Sequence, residues 1–147
     1  VSVTIAPIAL AHRADWERLF EAYAGFYKVP QTPAMRATVW AWLHDPAHEV
    51  NGLAALAEGR VVGIAHYRGF ARPLRAATGI FIDDLFVDPG HRGGRVADAL
   101  IGGVKSIATD QGHGVVRWIT ADDNYRGRSV YDRLATRTMW VTYDITL

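Results

Sequence analysis

The chain contains no cysteine among its 147 residues. Disulfides, thiolate nucleophiles and cysteine-based metal sites are excluded with it, and covalent catalysis would need another nucleophile. Neither sign of charge is in excess. Sixteen Lys and Arg stand against fifteen Asp and Glu, a net of +1, so neither nucleic acid nor a membrane surface is expected as a partner. No apolar run approaches the length of a membrane span. The opening "VSVTIAPIAL" is apolar but short, without a basic flank or a cleavage pattern. It reads as a first strand, and a cytoplasmic location is expected. The dinucleotide fingerprint G-x-G-x-x-G, the Gly-Lys-Ser/Thr of a P-loop and the nucleophile motif G-x-S-x-G are all missing. The six histidines have no metal-ligand spacing, so no metal is expected.

What remains is an ordinary globular composition, 50% hydrophobic and 21% charged, long enough for one domain over 1–147 with a sizeable core. "SVTIAPI" alternates as a strand. From His12 the spacing of Trp16, Leu19, Phe20, Tyr23 and Phe26/Tyr27 is that of an amphipathic helix. Thr32 then Pro33 are an N-cap and a first-turn proline, opening a second helix with Met35, Val39, Trp40 and Leu43. "LAALAEG", "RVVGIAHYRGF" and "IFIDDLFV" form an antiparallel meander whose first turn is Glu58-Gly59-Arg60. A helix carrying Val96, Leu100, Val104 and Ile107 stops near Gly112–Gly114. "VVRWIT" is a strand, "ADDNYRGRSVYDRLA" a short helix, and "MWVTYDITL" a final alternating strand. The fold class is mixed α/β.

Within this frame, "VDPGHRGGRVADALI" places a strand end, a glycine turn and a helix N-terminus in series. Unpaired N–H groups and a partial positive charge at such a place suit a phosphate, and Arg92 and Arg95 add charge; a plain connection with two surface arginines has the same composition. Upstream, Asp83 and Asp84 interrupt an apolar β run against strand propensity, which marks them for function. Alternation predicts that only one of them faces a given side. Downstream, Asn124 and Tyr131 are seven residues apart, two helical turns, and share a face. His66 and Tyr67, in a central strand, are candidates to line an acceptor pocket. Trp16, Tyr23, Phe26 and Tyr27 read as core.

"IDDLFVDPGHRGGRVADALI" resembles motif A of the Gcn5-related N-acetyltransferases, the GNAT superfamily. There a strand ends in Val-x-Pro and, five residues after the Val, a Gln/Arg-x-x-Gly-x-Gly/Ala signature opens a helix. Val87, Arg92 and Ala97 are in register; the central glycine is Arg95, and an arginine of helical φ would still offer its N–H. "NYRGRSVYDRLA" is similar to the family's Asn-x-x-Ala-x-x-Leu-Tyr segment, with Gly127 where Ala is usual. "IFIDDLFV" and "DWERLFEAYAGFY" look like the Hpa-type and spermidine/spermine acetyltransferase branch.

The resemblance implies a central, mostly antiparallel sheet flanked by helices, with acetyl-CoA as co-substrate. Its pyrophosphate would sit on Arg92, Gly93, Gly94, Arg95, Val96 and Ala97. Its pantetheine arm would lie along Leu85, Phe86 and Val87, with Asn124 and Tyr131 beside it. A β-bulge would splay the two strands that hold the arm. Asp83 or Asp84 would take the proton from an attacking primary amine, a backbone N–H near Leu85 would hold the oxyanion, and Tyr131 would serve the leaving thiolate. Arg126, Arg128 and Arg133 would meet the 3′-phosphate or substrate, or form a solvated face. The acceptor would be a small molecule such as a polyamine or amino acid, or a lysine or N-terminal amine. "MWVTYDITL" would serve a homodimer. A non-catalytic CoA-binding regulatory or interaction module of the same fold is the alternative.

Overall fold

The structure, a computed structural model, describes residues 2–147. One sheet carries it, its strands in sequence order: β1 (Thr4–Pro7), β2 (Asn51–Ala57), β3 (Arg60–Arg72), β4 (Ala77–Val87) and β5 (Val116–Trp118). β1 to β4 are antiparallel neighbours, and β5 runs parallel to β4. A parallel neighbour needs a crossover, which helix α3 (Val96–Asp110) supplies. Helices α1 (Arg13–Phe26) and α2 (Pro33–Leu43) precede β2, and α4 (Tyr125–Leu134) follows β5. Among the described residues no helix is long and apolar enough to cross a membrane.

Side-chain alternation splits the sheet between two cores. Leu53, Ala55, Val62, Ala65, Ile80 and Ile82 pack on Leu100 and Val104 of α3. Ala54, Val61, Ile64 and Phe86 pack on Trp16, Leu19 and Phe20 of α1 and Trp40 of α2. The α3 side is tight at Gly63, where a Cβ would lie 2.9 Å from Val96 Cγ1; glycine permits that approach. Thr32 Oγ1 accepts from the Met35 N–H at 3.2 Å and caps α2, as the sequence predicts. Glu58 (φ 51°) and Gly59 (φ 77°) make the β2–β3 turn, with the doubly positive φ that matches strand twist. The second hairpin is longer than expected, since "ARPLRAATG" narrows to one 3-10 turn, Pro73–Arg75, and its flanks pair.

Two expectations fail at strand ends. β5 spans three residues rather than the whole of "VVRWIT". "MWVTYDITL" forms no strand, and Met139 and Trp140 are 90% and 86% exposed. Alternation supplies propensity, but a strand also needs a partner edge, and among the described residues this segment has none.

The third departure builds the site. His66 pairs with Asp84 and Tyr67 with Ile82, so Asp83 has no residue opposite it. This β-bulge reverses the inside-outside phase of β4: Ile80 and Ile82 face α3, while Phe86 faces α1. Asp83 and Asp84 therefore line one cavity together, not opposite faces as strict alternation requires. On the other edge, the β4–β5 ladder covers only Ile80–Ile82 against Val116–Trp118. From Asp83 to Val87 that edge of β4 has no strand partner among the described residues, which is the splay the resemblance implies.

Candidate active site

A cavity of about 380 Å³ opens where β4 ends, roofed by the C-terminal half of α1 and walled by α4. Leu85, Phe86, Val87, Arg92, Gly93, Arg95, Val96, Ala97, Asn124 and Tyr131 all line it; Gly94 does not. The turn that forms its floor is pinned from below. Asp88 accepts from the Gly90 N–H and from Arg18, both at 3.1 Å, and Arg92 lies over the Phe86 ring. The first turn of α3 has N–H groups without helical partners, and its residues Val96, Ala97 and Asp98 line the same space as Arg92, Arg95 and Arg126.

Arg95 is not helical. It stands at φ 61°, ψ 27°, the left-handed N-cap of α3. The glycine usual at this position is thereby explained, because an L side chain costs about 1–2 kcal/mol in that conformation and glycine almost none. The Arg95 side chain is 73% exposed and its guanidinium lies 3.6 Å from Asp98. The backbone still turns as the motif requires.

Asn124 caps α4. Its Oδ1 accepts from the Gly127 N–H at 3.3 Å and its Nδ2 donates to Thr120 Oγ1 at 2.9 Å. A Cβ on Gly127 would lie 2.5 Å from that Nδ2, so an alanine here would require the Asn124 amide to shift. Arg133 donates to both oxygens of Asp98 at 2.8 and 3.3 Å, tying α4 to α3, and Arg128 donates to the Asp122 carbonyl. Of the three arginines singled out on this helix, Arg126 and Arg133 line the cavity, and Arg126 is the one of the two not tied to Asp98. Tyr131 packs edge-on to Trp118 at 5.4 Å. Burial, with a smaller contribution from Tyr27, pushes its phenol up, so it keeps its proton.

The aromatic stripe of α1 divides. Trp16 is core, but Tyr23, Phe26 and Tyr27 line the cavity. The signal for this was available: the stripe outruns the sheet that could bury it. Behind Tyr23, on the α1/α2 side, lies a second cavity of about 320 Å³, lined by Phe20, Trp42, His48, Glu49, His66, Arg68, Asp83 and Asp84. Tyr67, expected beside His66, packs instead on the α3 face, since neighbours on a strand point apart.

Arg68 Nε donates to both oxygens of Asp83, at 3.3 and 3.1 Å. Burial nevertheless pushes the Asp83 carboxyl up, outweighing Arg68. Asp84 accepts from His66 at 2.8 Å, and burial followed by the Asp84 charge pushes the Tyr23 phenol up. Asp84 thus borders the second cavity while its neighbour Tyr23 borders the first. The donor set fits coenzyme A on this chain's own features: N–H groups and arginines for a diphosphate, and an unpaired strand edge for an amide-bearing arm. Among the described residues no group of three or more His, Asp or Glu is placed to hold a metal ion.

Comparison with known proteins agrees. The acetyltransferase (GNAT) family matches residues 16–135. The chain is 30% identical over 130 residues to the D-amino-acid N-acetyltransferase HPA3 of Saccharomyces cerevisiae, covering 87% of this chain and 81% of the yeast protein. The ribosomal-protein-alanine N-acetyltransferase from Brucella melitensis biovar Abortus 2308 has a similar structure, with TM-score 0.85 and 25% identity over 99% of this chain and 100% of that one. The aminoglycoside N-acetyltransferase AAC(6')-Iy, solved in complex with CoA, shares the fold at TM-score 0.83 and 19% identity, over 98% and 94% of the two chains. A family match over most of the length, together with a relative at this identity, establishes that the chain belongs to the GNAT family and is an acetyl-CoA-dependent N-acetyltransferase.

Proposed function

We propose that the acceptor is a free amino acid, acetylated directly on its amine without an acyl-enzyme. The observation that carries this is the second cavity, which sets carboxylates and a guanidinium side by side: Asp83, Asp84 and Glu49 against Arg68. An ammonium and a carboxylate on one small molecule match that pair of charges. The yeast relative named for D-amino acids supports the same class.

In this reading Asp83 takes the proton that an ammonium of pKa ~10 must lose before it can attack. Asp84 holds and aims the same nitrogen. Acetyl-CoA, when bound, supplies the thioester carbonyl, and the Leu85 N–H on the open edge of β4 is the donor for its oxygen. Tyr131 serves the departing sulfur. Arg68, whose side chain is 35% exposed, exchanges part of its contact with Asp83 for the acceptor carboxylate.

The test is thiol release with amino acids of both hands, run beside the amines that lack their carboxylates. Arg68→Met is expected to raise the amino-acid KM roughly 10- to 100-fold, the worth of a charged hydrogen bond, and to leave the KM of the simple amines nearly unchanged. Equal effects on both sets, or a preference for the simple amines, would reject the amino-acid assignment.

The exposed, alternating tail supports a homodimer. Tyr143 and Ile145 are each 90% exposed, and β5 is the last strand of the sheet. A tail laid against that edge of a second copy would cover both. Sedimentation should show a dimer for the full chain and a monomer after truncation beyond Ala135; a monomeric full chain at micromolar concentration would refute it.

A further inference from the structure

His66 lies outside the chemistry described above, yet it is 1% exposed and bonded at both ring nitrogens. The indole N–H of Trp16 can only donate, and it meets His66 Nε2 at 2.9 Å. Nε2 must therefore present a lone pair. The ring proton is left to Nδ1, which stands 2.8 Å from Asp84 Oδ2. Trp16, fully buried, thus selects the tautomer of His66, and that tautomer donates to the carboxylate. Phe20 packs edge-on to the imidazole at 4.8 Å and closes it against rotation. The other titratable and charged groups facing this chain are Tyr23, which bears on Asp84, and His48, Glu49 and the Asp83–Arg68 pair in the same cavity.

We infer that His66, held as its Nδ1–H tautomer by Trp16, is a positioning residue that fixes the Asp84 carboxylate for acyl transfer. Asp84 Oδ2 is engaged by His66, so the group cannot swing away, and Oδ1 is kept for the incoming amine. The reversed tautomer would leave two donors opposed at Nε2 and two acceptors opposed at Asp84, each a lost hydrogen bond beside a buried polar group. The bulge contributes as well, because it brings Asp84 into register with His66.

The functional half of this inference rests on the acyl-transfer role given to Asp84, whereas the tautomer does not. Nitrogen-15 spectra of the histidine-labelled protein should show neutral His66 protonated at Nδ1 and bare at Nε2. A protonated Nε2 would overturn the proposal whatever the enzyme acetylates. His66→Asn keeps an N–H donor near the Nδ1 position and should hold kcat within roughly 3-fold. His66→Leu removes the donor and should lower kcat roughly 10- to 100-fold, with the KM for acetyl-CoA unchanged. Trp16→Phe removes the donor that selects the tautomer, and nitrogen-15 spectra of that variant should show a share of His66 protonated at Nε2. Equal losses in the Asn and Leu variants, with the His66 tautomer unchanged in Trp16→Phe, would mean that His66 serves packing alone. A correct tautomer with no acetylation of any amine would count against the functional reading and not against the Trp16–His66–Asp84 geometry.

Discussion

Asp83→Asn should lower kcat by roughly two to four orders of magnitude, the span of a positioned general base, in a protein that still folds. Asn conserves shape and loses only the ability to take a proton. The fold should tolerate it because Arg68, the partner set free, has a side chain 35% exposed and can be solvated. The pH dependence has a fixed sign. Burial pushes the folded-state Asp83 carboxyl above the ordinary carboxylate value, in spite of Arg68. As pH falls through that raised value the base is protonated and kcat/KM declines, so the acid limb lies above the ~3.9 of a free aspartate. The same displacement acts on stability in the opposite sense. A carboxyl that is harder to ionise when folded favours the folded state as pH falls and opposes it as pH rises. A neutral Asn should therefore not weaken the fold at pH 7, and lost activity there cannot be blamed on unfolding. Stopped thiol release across pH 4–9, with circular dichroism at each point, is the measurement. A variant within 5-fold of wild type, or one that retains the acid limb, would remove Asp83 from the proton path.

How much of this was legible beforehand divides along a physical line. Local patterns survived translation into structure: the Thr32 cap, the Glu58-Gly59 turn and the face shared by Asn124 and Tyr131 depend only on residues near one another in the chain. The glycine turn that leads into α3 was legible for the same reason. What needed the partner strand was hidden from the residues themselves, and only the resemblance implied a bulge. The bulge at Asp83 is a property of the β3–β4 register, so period-2 alternation placed the two aspartates on opposite faces when they share one. Arg68 carried no signal at all until that register put it beside Asp83. The left-handed conformation of Arg95 was concealed by its identity, since an arginine suggests a helical start and a glycine would have pointed to the true φ. The tail shows the limit from the other side. It alternates, yet among the described residues it pairs with no edge and forms no strand.

Tyr131→Phe should cost about 10²-fold in kcat, within the range for one positioned proton donor, with little change in the KM for acetyl-CoA. Its role follows from a comparison of acidities. Burial pushes the phenol above its ordinary value of 10, whereas an ordinary thiol ionises near 8.5. Full transfer of the phenolic proton to a departing thiolate therefore runs uphill. The hydroxyl acts mainly as a hydrogen-bond donor whose grip tightens as negative charge gathers on sulfur, which is stabilisation made in the transition state and not in the ground state. Such a contact lowers kcat and kcat/KM together when it is removed. Stability should barely change, because the ring keeps its edge-on contact with Trp118. Raised acidity also dictates a signature at high pH: wild type should lose activity only as the phenol ionises above its ordinary value, and the Phe variant should lack that limb. Steady-state thiol release from pH 7 to 11 reads both. If Tyr131→Phe turns over within 3-fold of wild type, the sulfur is served by another donor, and Tyr23, whose phenol lines the same cavity, is the residue to replace next.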